Sequence, residues 1–264
     1  LQSCMKVSRA RVWDDSDYER VKKLCDEDDG WVEVYKKKDR RIFRLPSSTT
    51  TVSMYKARVE WHDVSAHVLF DVLHDPDYRT KWDKHMTQSI DIGIINPNND
   101  VGYYAVRSVP PLRPRDFVLQ RSWLDEGREK LLCSRSICHD DYPPRPGHIR
   151  ATIFLSGYLV RELDKGCSLC YVTQADPGGQ IPTWLTNRVS KVMAPKVLDR
   201  LHKAAVGYPA WKAHNKATWK PWIYPDQLID CSRIDLSKCE PREYKSEVKD
   251  GSGSEGDEVS SASD

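Results

Sequence analysis

No apolar segment of this 264-residue chain is long enough to cross a bilayer as a helix. The longest nearly apolar run, Ala151 to Val160, has ten residues and is interrupted by Thr152, Ser156 and Gly157. No secretory leader is read ahead of the first patterned segment, so the expected location is the cytoplasm. A dominant charge is missing as well. The net charge is +2, which argues against a nucleic-acid partner and leaves any attraction to anionic surfaces to local basic patches. There is no G-x-S-x-G, no His/Glu pair at metal spacing and no glycine-rich phosphate loop after a strand. The expectation is therefore a protein that is not an enzyme and that uses no cofactor and no metal.

What is present suits a globular domain. The chain is 39% hydrophobic and 30% charged, with no internal linker before residue 223. After Cys239 apolar residues nearly vanish and the end reads GSGSEGDEVSSASD, so 223–264 is expected to be a disordered acidic and serine-rich tail. In that tail Ser252, Ser254 and Ser261 each have an acidic residue three positions on, a pattern for an acidophilic kinase that a solvating tail also produces by chance. The eight cysteines are expected to be reduced and structural, because a chain of this size can bury its own core. Cys167-Ser168-Leu169-Cys170 is a CxxC, but it begins a strand rather than a helix and has no second pair at zinc spacing.

The order of elements follows from periodicity. Asp14 or Ser16 caps a helix through Tyr18, Val21, Leu24 and Cys25, and Gly30 ends it. Three strands follow: Trp31 to Tyr35, Arg41 to Leu45 and Ser53 to Trp61. Ser65 starts a short helix, and Pro76 a second short turn of helix. From Thr87 to Asp176 the pattern predicts six strands, with turns at Asn96–Asp100, Asp125–Gly127, Pro143–Gly147 and Asp164–Gly166. A long amphipathic helix from Pro182 to about Val206 closes the series, with a kink or break at Pro195. The class is α+β with one antiparallel sheet of about nine strands. Ala151 to Val160 is apolar on both strand faces, so both are expected to be covered, either by an ordinary core or with one face lining a cavity.

Two stretches resemble a known family. Asp75-Pro76-Asp77-Tyr78-Arg79-Thr80-Lys81-Trp82-Asp83 and Asp176-Pro177-Gly178-Gly179-Gln180-Ile181-Pro182-Thr183-Trp184 are similar to the two signatures of the START (StAR-related lipid transfer) domain, in wording nearest the phosphatidylcholine-transfer-protein subgroup. The resemblance covers residues 12–222, the expected lipid-binding domain. It implies a helix-grip fold, a curved antiparallel sheet around a long C-terminal amphipathic helix. It also implies that the chain carries one glycerophospholipid in an internal tunnel and exchanges it between membranes, as a monomer in transient contact with their surfaces.

The resemblance implies particular site residues. Arg79 would hold the lipid phosphate, supported by Asp83 one helical turn on. Aligned on the Arg115-Asp116 pair, Tyr104, Phe117 and Phe154 match the three aromatics around the choline ammonium, where the subgroup carries Trp, Tyr and Tyr. The two phenylalanines leave phosphatidylethanolamine open beside phosphatidylcholine. From the residues alone, Arg79 and Asp83 read equally as a surface ion pair and the three aromatics as core. The gate and membrane contact would use Pro110, Pro111 and Leu112 of one loop, with Trp184, Lys191, Lys196 and Lys203 of the last helix. Three other readings stay open: a lipid-gated adaptor or sensor, a carrier of sterol or ceramide, and an enzyme on a lipid using His85, His139 or Asp83.

Overall fold

The structure, a computed structural model, describes residues 7–37, 39–47, 52–108, 110, 112–179 and 193–242. Helix α1 (Asp15–Asp26) begins where the sequence places it. Asp14 accepts from the amides of Ser16 and Asp17, and Asp17 completes the capping box. Strands β1 (Val32–Lys37), β2 (Arg40–Leu45) and β3 (Met54–Trp61) follow. Ser65 caps α2 (Ala66–His74), and Asp75 caps α3 (Pro76–Trp82), with Pro76 in the first turn. Then come β4 (Met86–Asn96), β5 (Asn99–Val106), β6 (Arg115–Asp125), β7 (Glu129–Ser136), β8 (Ile149–Arg150), β9 (Thr152–Glu162), β10 (Cys167–Asp176) and helix α4 (Ala194–Asn215).

One sheet takes nine of these strands in the order β1-β2-β3-β10-β9-β7-β6-β5-β4, all paired antiparallel. The tenth, β8, is two residues long and lies parallel to β6. The sequence pattern misses it because so short a strand has no alternation to read.

The two faces of the sheet are covered differently. On the outer face Tyr18, Val21 and Cys25 of α1 pack with Leu131, Leu159, Cys170 and Val172. Gly157 makes this possible: a Cβ there would stand 2.5 Å from a Val21 methyl. Lys56 and Arg58 of β3 close the end of α1. The Lys56 ammonium donates to the carbonyls of Leu24 and Glu27 at 3.2 and 2.6 Å, and the Arg58 Nε to that of Cys25 at 3.1 Å. Cations at a helix C-terminus satisfy orphan carbonyls and complement the helix dipole.

On the inner face α2, α3 and α4 cover Ala57, Val59, Trp123, Leu132, Val160 and Leu169 with Leu69, Phe70, Leu73, Tyr78, Leu201 and Tyr208. Two acidic residues at the α2–α3 junction fasten this layer. Asp75 accepts from the Tyr208 hydroxyl at 2.9 Å, and Asp71 from the Trp222 indole at 2.8 Å and from Lys220. The Tyr78 hydroxyl donates to the Ala204 carbonyl at 2.8 Å.

Two expectations about the C-terminal part change. The last helix runs past Val206 to Asn215, Pro195 lies in its first described turn, and Val197 is exposed. The stretch 182–192 lies outside the described residues. A tail starting at 223 is also not what is found: 223–242 form a strap across the far edge of the sheet. Its Ser232 carbonyl and Ile234 amide bond Ile94 of β4, and Leu228 and Cys239 are buried. Composition missed the strap because a few apolar anchors suffice when an edge strand supplies the backbone partners.

Candidate functional site

Helix α3 is about two turns long, and its geometry sets Arg79 above Asp83, the residue that ends it. The Arg79 Nε lies 3.3 Å from Asp83 Oδ2, with 27% of the Arg79 side chain and 13% of the Asp83 side chain exposed. Asp83 is held from several sides. Its other oxygen accepts from the amides of His85 and Met86 at 3.2 and 3.3 Å, and the Tyr104 hydroxyl donates to Oδ2. The Arg79 guanidinium sits 5.4 Å from the ring centres of both Tyr104 and Trp82. The sheet therefore brings Tyr104 of β5 to the helical Arg79–Asp83 pair.

Across the β5–β6 ladder Tyr104 pairs with Phe117, their ring centres 6.3 Å apart at 45°. Phe154 lies at a bulge in β9, where Gln174 pairs with Leu155 and Ala175 with Ile153. It is half-buried, and it makes no ring contact with the other two among the described residues. The structure thus joins four of the five expected headgroup residues, Arg79, Asp83, Tyr104 and Phe117, and leaves Phe154 apart from their ring contact.

Two neighbours were not singled out from sequence. Trp82 is the first; its indole nitrogen is buried with no hydrogen-bond partner among the described residues, as is the Nε2 of His85. Tyr158 is the second, stacked on Tyr171 at 4.4 Å. Burial pushes the Tyr158 and Tyr104 phenols well above their ordinary pKa. Burial opposes the charge of Arg79, but the oxygens of Tyr104, Tyr158 and Asp83 outweigh it, and its pKa lies above the ordinary arginine value. Trp82 stood inside the first motif and could have been found there. Tyr158 came from the alternation of its strand, which does not say what it faces.

A second cation makes a useful contrast. Arg121, on the same face of β6 as Phe117, grips both oxygens of Asp100, with Nε–Oδ1 at 2.8 Å. Arg121 is satisfied by a bidentate partner, whereas Arg79 meets its only described carboxylate through a single nitrogen. A guanidinium with donors to spare, an unpartnered indole N–H and an aromatic pair can accept an anionic oxygen ester with a cation beside it.

Of the expected gate residues, Pro110, Lys196 and Lys203 are exposed and Leu112 is half-buried. Pro111, Trp184 and Lys191, together with Ser252, Ser254 and Ser261, lie outside the described residues. His139 belongs to a different cluster, edge-on to Tyr142, with burial lowering its pKa. All seven described cysteines are unpaired. No group of three or more metal-ligating side chains and no helix able to cross a membrane occur among the described residues.

The START domain family model matches residues 11–212. START domain-containing protein 10 of Mus musculus is 37% identical over 219 residues, which span 82% of this chain and 75% of that protein. Phosphatidylcholine transfer protein of Mus musculus is 31% identical over 175 residues, 63% of this chain and 79% of that protein. A crystal structure of human STARD10 matches with a TM-score of 0.82 at 35% identity, covering 87% of this chain and 94% of that one.

Proposed function

The chain belongs to the START domain family, and on that footing we propose that it carries one glycerophospholipid, in the first place phosphatidylcholine, and exchanges it between membranes. The observation that carries the reading is the state of Arg79: facing Tyr104, mostly buried and only loosely engaged by Asp83, while Arg121 is fully paired. In the proposal Arg79 holds the phosphate, Asp83 keeps the guanidinium oriented, and Tyr104, Phe117 and Phe154 face the ammonium. The unpartnered Trp82 indole supplies a further donor to a phosphate oxygen. A sterol or ceramide has no anionic group and would leave Arg79 without one.

The energetics favour exchange over release. Two acyl chains carry roughly thirty methylenes, and at about 0.8 kcal/mol each their exposure to water costs on the order of 24 kcal/mol. In a bilayer the same chains are already dry, so transfer between protein and membrane is nearly balanced while escape into water is suppressed. The loop at Pro110, Pro111 and Leu112 and the helical Trp184, Lys191, Lys196 and Lys203 form the membrane-facing gate in this reading. The chain works as a monomeric cytoplasmic carrier that visits membranes, and an acidophilic kinase acts on its tail at Ser252, Ser254 and Ser261.

Native mass spectrometry of the purified protein, followed by extraction and headgroup identification, tests the proposal. One phosphatidylcholine per chain is the expected result, and phosphatidylethanolamine would redefine the headgroup. A protein that takes up neither from vesicles would overturn it. Phospholipid recovered chemically unchanged is expected of a carrier; a hydrolysed product would make the protein an enzyme.

A further inference from the structure

The CxxC motif divides between the two faces of the sheet. Cys167 packs into the inner core, and Cys170, three residues on, into the outer one. Their side chains therefore cannot meet. The structure gives Cys170 a different neighbour, Cys25 in the last turn of α1, far away in sequence. The Cys170 sulfur lies 3.9 Å from the Cys25 carbonyl oxygen. Both side chains line a cleft of about 1010 Å³ between α1 and the β1–β2 hairpin, whose walls include Lys36, Arg40 and Arg58. The cleft reaches Cys170, which is 9% exposed, while Cys25 is buried.

Arg58 and Lys56, which close the end of α1 and are both ion-paired with Asp28, lie close to the pair. The neighbouring Cys25 side chain, with Arg58 and Lys56 nearby, draws the Cys170 pKa below its ordinary value, while Cys170 and burial push that of Cys25 up. Cys133 and Cys167 differ: burial dominates and raises both, Cys167 to about 12. The thiolate is the reactive form, so reactivity concentrates at Cys170.

We propose that Cys25 and Cys170 form an oxidation site at which peroxide closes a disulfide between α1 and β10. The Cys170 thiolate attacks one oxygen of hydrogen peroxide; the O–O bond breaks, hydroxide leaves, and Cys170 becomes a sulfenic acid. The Cys25 sulfur then attacks the Cys170 sulfur. The S–O bond breaks, and the hydroxyl leaves as water with the Cys25 proton. Two thiols are oxidised, and one peroxide is reduced to two waters. The bond forms on the outer face, away from Arg79, so this site does not depend on the lipid reading.

Peptide mapping of the full chain tests it. The reduced protein is treated with hydrogen peroxide, alkylated, digested without reductant and analysed by mass spectrometry. A Cys25–Cys170 linked peptide is expected, reversed by dithiothreitol, with Cys133 and Cys167 still open to alkylation. In Cys25→Ser the resolving thiol is gone, and dimedone labelling of Cys170 should rise roughly tenfold over wild type. Linkage of another pair would overturn the proposal. So would Cys25 and Cys170 that both stay reduced at a dose that oxidises the partly exposed Cys231.

Discussion

Arg79 reaches Asp83 through one nitrogen and one oxygen, at 3.3 Å, although the two residues stand one helical turn apart and share a mostly buried site. That oxygen is also claimed by the Tyr104 hydroxyl, so the carboxylate orients the arginine without saturating it. The remaining guanidinium donors are what a phosphate would use.

Arg79→Ala should lower phosphatidylcholine occupancy after incubation with vesicles by roughly 10- to 100-fold, the worth of a hydrogen-bonded charge. The melting temperature should change only modestly, because among the described residues the side chain meets Asp83 through a single hydrogen bond and otherwise only the rings of Trp82 and Tyr104. Unchanged occupancy by native mass spectrometry would sink the assignment.

Tyr104→Leu removes a ring face beside the Arg79 guanidinium and the proposed ammonium. Loss of one cation–π partner should weaken phosphatidylcholine uptake by roughly 2- to 30-fold. Phosphatidic acid, which has no ammonium, should be much less affected. Equal losses for both lipids would assign Tyr104 to phosphate positioning instead. Phe154→Leu, measured alongside, shows whether the ring at the β9 bulge takes part.

Asp71→Ala should cost about 3 kcal/mol, because it strands Lys220 and the Trp222 indole in a buried setting. Denaturant unfolding measures the loss. The strap should loosen first, visible as faster amide exchange at Ile94 and Ile234.

Gly157→Ala places a methyl against Val21 and should destabilise by about 1–3 kcal/mol through overpacking. The double variant with Val21→Ala should recover part of that loss in thermal unfolding. No recovery would mean that the glycine serves another contact.

His74 provides a pH test. Burial lowers its pKa from the ordinary 6.5 to about 3, and its ring packs between Trp222 and Trp123. A folded-state pKa below the unfolded one means stability present above pH 6.5 and lost progressively as pH falls toward 3. The wild-type melting temperature should therefore drop between pH 6.5 and 4.5. His74→Phe should flatten that part of the curve, and an unchanged slope would show that other groups set it.

Local chemistry made much of the fold legible. Asp14, Ser65, Asp75 and Pro76 mark helix starts because capping is decided within one turn of chain, and the hairpins at Asn96–Asp100 and Asp164–Gly166 are equally local. The strap escaped notice because its backbone partner, Ile94, is distant in sequence. Phe154 matched the motif by alignment, but a bulge decides which way a strand residue leans, and a bulge leaves no pattern in so short a segment.

By itself, then, the sequence determined the helix starts, the alternating strands and the motif that seats Arg79 above Asp83, because these depend on residues a few positions apart. Only the tertiary structure decided which groups converge there from β5 and β9, that Arg121 is already paired, and that Cys170 neighbours Cys25 rather than Cys167. Those relations depend on strand register and on which face each side chain takes, and a change of one residue in register reverses every one of them.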